Sequence, residues 1–157
     1  TGYIFNYFGQ PWLTQKWVRD VIEEVYSDND PQHGYSGDED QGLMGALSVL
    51  MKMGLFEMKG GAHIKPSYDL SSPIFDQIII HLDKDYYQGG NFKIDVLNNS
   101  PKNKFIQSVK LNGKPLNQSW FYHKDLVKGG NLECVLGEDP NYEWGAALES
   151  LPSSMSD

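Results

Sequence analysis

The chain has 157 residues, 39% of them hydrophobic and 13% aromatic, which is enough for one domain with a real core and too much for a disordered segment. Its formal charge of -8 argues against a nucleic-acid partner, which needs a basic face, and no stretch approaches the roughly 20 apolar residues that span a bilayer. The single cysteine, Cys134, excludes an internal disulfide and any multi-cysteine metal site.

Residues 1 to 58 read as helical. They open at Thr1 inside an apolar aromatic segment, with no basic leader, as a processed, truncated or subcloned chain would. Thr14 is placed as an N-cap, and Trp17, Val18, Val21, Ile22, Val25 and Tyr26 recur at helical spacing. Arg19, Asp20, Glu23 and Glu24 fall on the opposite face. Trp17, on the apolar stripe, is expected in the core; Trp12, beside Pro11, is the better candidate to line a cleft.

A polar loop follows from Asp28 to Asp40. It ends in the run Gly34-Tyr35-Ser36-Gly37-Asp38-Glu39-Asp40-Gln41-Gly42, three consecutive carboxylates in a glycine-flanked loop directly before an apolar helix. Acids there are favoured by free N–H groups and by the positive end of the helix dipole. Two readings fit: Asp38 and Asp40 ionised and aimed into a cleft, or a solvated acidic cap. The second helix is expected from Gln41 to Met53, with Gly54 as its C′ residue. Leu43, Met44, Leu47, Leu50 and Met51 give it a wide apolar stripe, and Gly42, Gly45 and Ala46 a small-residue face. Two helices this apolar cannot cover each other, so something else is expected to cover them.

From about Phe56 to Trp144 the period becomes two. Asn91-Phe92-Lys93-Ile94-Asp95-Val96 and Asn131-Leu132-Glu133-Cys134 alternate, which makes Cys134 a buried structural thiol. Ile78, Ile79 and Ile80 form a β-branched run suited to a strand covered on both faces. Asn112-Gly113 signals a two-residue hairpin turn, and Gly89-Gly90 and Gly129-Gly130 mark further turns. The expected fold is α+β: a helical segment over residues 1–58, an antiparallel β-sandwich over 59–145, and a tail over 146–157.

Metal motifs are weak. Asp28, Asp30 and Glu39 fit positions 1, 3 and 12 of an EF-hand register, but position 6 is His33 and Pro31 interrupts the loop. His33, His63, His81 and His123 have no ligand-like spacing. His33 is close enough in sequence to the acidic run to touch a substrate; the competing reading is a solvated loop histidine.

Taken together, the segments resemble the C-terminal part of the family 92 glycoside hydrolases, calcium-dependent exo-acting α-mannosidases. The resemblance is carried by Tyr7-Phe8-Gly9-Gln10-Pro11-Trp12, by Gly37-Asp38-Glu39-Asp40-Gln41-Gly42 with Met44-Gly45-Ala46, and by Ser72-Pro73-Ile74-Phe75-Asp76. Ile106 to Pro115, His123-Lys124-Asp125-Leu126 and Trp144-Gly145 continue it. It implies that the helices belong to an incomplete α/α barrel, and that Asp38 and Asp40 act together as the general base of an inverting hydrolysis of terminal α-mannosides. Glu39 is then bonded to loop amides or, with Trp12 and His33, reaches substrate.

The resemblance further implies that the general acid and most calcium ligands lie upstream of Thr1, and that the parent is a secreted, periplasmic or cell-surface bacterial protein. Its partners would be α-mannoside glycans and the remainder of the parent polypeptide. The chain alone should hydrolyse nothing, and its helical face should self-associate. One departure is that Gly45-Ala46-Leu47 stands where many relatives carry an aromatic at the third position, which bears on substrate fit. A non-catalytic carbohydrate-binding or packing β-sandwich is the alternative, and an interaction module a third reading. Neither needs three acids at a helix mouth.

Overall fold

A computed structural model describes residues 2–27 and 42–153. The chain begins with a 3-10 helix, Gly2–Phe8, followed by helix α1, Pro11–Val25. Proline takes the first turn, where its missing N–H costs nothing, and Gln10 is the N-cap. Thr14 is therefore not the cap; it is a buried residue of the first turn. Trp17, expected in the core, is 46% exposed, with the Lys16 ammonium 4.2 Å from its ring centroid. Its neighbour Val18 takes the buried position instead.

Helix α2, Leu43–Met53, starts after Gly42 and ends at Gly54, whose left-handed φ of 75° lets its N–H reach the carbonyls of Leu50 and Met51. This is the glycine stop that the sequence announces. The two helices share one core cluster with the 3-10 helix: Tyr3, Val18, Ile22, Tyr26 and Met51.

Among the described residues, eight strands follow α1 and α2 in two sheets. The first sheet holds β1 (Leu55–Phe56), β2 (Ser67–Leu70) and β7 (Trp120–Tyr122) in the order β1-β2-β7, all antiparallel. The second holds β3 (Gln77–His81), β4 (Asn91–Leu97), β5 (Phe105–Leu111), β6 (Lys114–Pro115) and β8 (Gly130–Gly137), in the order β3-β4-β8-β5-β6. A short helix, α3 (His123–Leu126), links β7 to the turn before β8. Leu55, Leu70 and Phe121 from the first sheet pack against Phe92, Ile94, Val96, Ile106, Leu132 and Leu136 from the second, and the Phe92 and Phe121 rings stack at 5.8 Å. The sandwich is thus real, but it is not wholly antiparallel: β4 and β8 run parallel, from Phe92↔Gly130 to Leu97↔Val135. Alternation fixes which side chains face inward and is the same for either pairing direction.

Two further expectations meet different outcomes. The Asn112-Gly113 turn has φ values of 51° and 77° and joins β5 to β6, as a type I′ turn requires. The isoleucine run does not form a strand covered on both faces. β3 lies at the edge of the five-stranded sheet, beside β4, and Ile79 is 47% exposed. Cys134 is buried, and burial followed by the neighbouring Glu133 pushes its thiol up to about 12, so it stays a structural thiol.

The other face of the three-stranded sheet is covered from both chain ends. Phe56 of β1 stacks on Tyr3 at 5.0 Å. Residues 146–153 lie alongside, where the Trp120 indole donates to the Ser150 carbonyl at 3.1 Å and the Lys59 ammonium to the Ser153 hydroxyl at 2.7 Å.

Candidate functional site

In the sequence the acidic run falls between two described helices. Helix α1 ends at Val25, with Tyr26 buried in the shared helical cluster, and α2 resumes after Gly42. Asp38, Glu39, Asp40 and His33 themselves lie outside the described residues. What the structure supplies is their frame: both ends of the loop issue from helices that pack on one another through Val18, Ile22 and Met51.

Beside the end of α1 runs a cleft of about 670 Å³, lined by Arg19, Glu23, Tyr26, Ser27, Asn99 and Ser100 among others. Ser27 is the last described residue before the loop. Arg19 is buried, and its guanidinium donates to the Pro73 carbonyl at 2.9 Å and the Ser100 carbonyl at 3.5 Å. Glu23 stands 3.9 Å from its Nε and also accepts from Lys104 at 2.7 Å. Burial lowers the Arg19 pKa, and Glu23 opposes that shift. Chemically this arrangement is a brace: it ties α1 to the segments that precede β3 and follow β4, which keeps the cleft wall in place.

Trp12 lies on the first turn of α1, with its ring edge-on to Tyr142 at 5.2 Å. At 1.5 Å per residue it stands roughly 20 Å from the helix end that leads into the acidic loop.

A second polar centre has no counterpart among the sequence expectations. Asp69, in the middle of β2, is buried, and the Tyr7 hydroxyl donates to its Oδ2 at 3.4 Å. Burial lifts its carboxyl to about 7, against the opposing pull of Asn6, the Met58 backbone, Tyr7 and Lys59. The same burial, reinforced by Asp69 and Glu57, raises the Tyr7 phenol. The only signal in the sequence is an acid at a strand position flanked by Tyr68 and Leu70, and alternation makes such a position look solvent-facing.

Among the described residues, no three His, Cys, Asp or Glu side chains gather to hold a metal ion.

The model of the glycosyl hydrolase family 92 catalytic domain matches residues 1–138, which includes the acidic loop. The chain belongs to glycosyl hydrolase family 92. This family 92 chain is 30% identical over 155 residues to an uncharacterised secreted glycosidase of Arthroderma benhamiae, covering 98% of the chain and 19% of that protein. It superposes on a family 92 α-mannosidase of Bacteroides thetaiotaomicron with a TM-score of 0.87 and 28% identity, covering 98% of the chain and 20% of the mannosidase. A family 92 inverting mannosidase of the same organism matches with a TM-score of 0.86 and 32% identity, covering 99% and 20%. The chain thus spans about a fifth of the length of these relatives.

Proposed function

We propose that this chain supplies the general-base carboxylates, Asp38 and Asp40, of an inverting, calcium-dependent exo-α-mannosidase that removes terminal α-mannosides from glycans. The observation that carries the reading is the family match through residues 1–138, which takes in the acidic run, together with the likeness to an inverting mannosidase at 32% identity. The packed helices on either side of the loop support it, because a base must be held in place by rigid elements. In the parent protein, α1 and α2 would form part of an α/α barrel. The parent would be exported, in keeping with its likeness to a secreted glycosidase.

The chemistry then runs in one displacement. The Asp38–Asp40 pair takes a proton from water as its oxygen attacks the anomeric carbon on the face opposite the leaving group. The glycosidic C–O bond breaks, and the departing oxygen takes a proton from an acid elsewhere in the parent. Base and acid must stand roughly 6.5–9.5 Å apart to admit that water, so the acid cannot be Glu39, which lies between the two bases in sequence. Calcium, on this reading, draws its ligands from outside the described residues.

The test uses the full-length parent with Asp38→Asn and Asp40→Asn made separately. Mannose release should fall by roughly 10²–10⁴-fold in kcat with substrate affinity retained. Unchanged turnover in both variants would reduce the acidic run to a helix cap and favour a carbohydrate-binding sandwich. The purified chain by itself should release no mannose.

A further inference from the structure

Between β5 and the segment that follows β8 lies a groove of about 330 Å³. Val109, Pro115 and Trp144 give it an apolar lining, and Trp144 is fixed there by its indole N–H, which donates to the Leu116 carbonyl at 2.9 Å. Two lining amides are also fixed. Gln107 donates to the Phe105 and Asp139 carbonyls at 3.2 and 2.8 Å, and Asn141 donates to the Gln107 carbonyl at 3.0 Å. Three other lining groups, the Ser108 hydroxyl, the Asn117 amide and the Glu143 carboxylate, belong to exposed residues and have no partner among the described residues.

This lining suits a neutral sugar ring. A pyranose presents an apolar C–H face and a rim of hydroxyls, each both donor and acceptor, and the three free groups offer both roles. An anionic ligand is disfavoured: the one lining cation, Lys110, is paired with Glu133 at 2.9 Å, and Glu143 would repel it. The volume lies at the small end of the roughly 300–1,000 Å³ usual for ligand sites, which suits one ring better than a long segment. An aromatic side chain stands between two of the lining residues. Asn141 Oδ1 accepts from the Glu143 and Trp144 N–H groups at 2.9 and 3.1 Å, a tight turn that leaves Tyr142 at its tip, 65% exposed. The Trp12 ring braces it edge-on at 5.2 Å. A rigid, exposed ring of this kind offers a large contact area at little cost in conformational entropy.

We propose that this groove and the Tyr142 ring form a non-catalytic glycan-binding site on the sandwich, which holds one neutral sugar residue of a polymeric α-mannoside. The ring covers one face of the sugar, while Asn117, Ser108 and Glu143 bond its hydroxyls. That the sugar is a mannoside rests on the proposed function; the groove itself selects only a neutral, hydroxyl-rich ring. Such a site would tether the parent to a branched glycan and raise the effective concentration of chain ends at the reacting carboxylates.

The test is affinity electrophoresis of the full-length parent through gels containing α-mannan, with turnover of a small α-mannobiose measured beside it. Tyr142→Ala and Asn117→Ala, made separately, should weaken retention by about fivefold while kcat/KM on α-mannobiose stays within about twofold of wild type. A wild-type parent that runs unretarded, or unchanged retention in both variants, would overturn the proposal. So would a matching fall in kcat/KM, which would make the groove part of the reacting site. If one variant fails to fold, the other decides. A wild-type parent that leaves α-mannobiose uncut counts against the proposed function alone, and retention lost in Tyr142→Ala would still uphold the site.

Discussion

Gly54 has no room for a side chain. It closes α2 at φ 75°, and a Cβ there would stand 2.7 Å from the Ser71 carbonyl oxygen and 2.8 Å from Pro73 Cγ. Backbone strain and overpacking add, so Gly54→Ala should cost roughly 2–4 kcal/mol, read as a lower urea midpoint with an unchanged slope. Asp69 sets a pH dependence of stability whose sign follows from burial. Its folded pKa, about 7, lies above the ordinary carboxylate value, so the folded state holds a proton that the unfolded state has released. Its contribution is complete below about pH 4 and disappears as the pH rises through about 7. Unfolding free energy should therefore fall by a few kcal/mol between about pH 4 and pH 8, and the fall should shrink in Asp69→Asn. Gly54 could be read from the sequence, since a glycine after an apolar stripe is a local signal. Asp69 could not, because alternation gives its face of the strand and says nothing about what covers that face.

At the scale of elements, the exposed margin of β5 is managed by side chains. β6 pairs with it at Lys110 and Leu111, so the rest of that edge needs other partners. Gln15 of α1 accepts from the Ile106 N–H at 2.9 Å, and Asn141 donates to the Gln107 carbonyl at 3.0 Å. Gln15→Ala would leave the Ile106 N–H buried and unpaired, and should cost roughly 1–3 kcal/mol by chemical denaturation. Gln15→Glu, which keeps an acceptor, should recover part of that loss. The hairpin at Asn112-Gly113 was legible because both turn positions need positive φ, a requirement that few residues meet. The parallel pairing of β4 with β8 was not, because it depends on the chain crossing to the other sheet through β7 and back through α3.

At the scale of the molecule, the helical segments leave several apolar side chains exposed. Leu43 is 62% exposed and Val49 57%, and Ile4, Phe8 and Trp17 are also exposed. An apolar surface of this kind is seldom left in water, so the isolated chain is expected to self-associate. Sedimentation over a rising concentration series should show it, and Leu43→Lys with Val49→Lys should abolish it; a wild-type chain that stays monomeric throughout would refute it. In the full-length parent, chelation should remove mannosidase activity and added calcium restore it, the outcome that the proposed function requires.

The sequence by itself determined the α+β order, the glycine helix stop, the hairpin turn and membership of family 92, because each rests on local φ preference, hydrophobic period or motif order. Tertiary structure alone decided that Trp17 faces out, that β3 is an edge and that β8 joins β4 in parallel. It also decided that Asp69 is enclosed by Tyr3, Asn6 and Tyr7 from more than 60 residues away. Burial belongs to the assembled surface around a residue, and no local pattern encodes which distant segment will supply it.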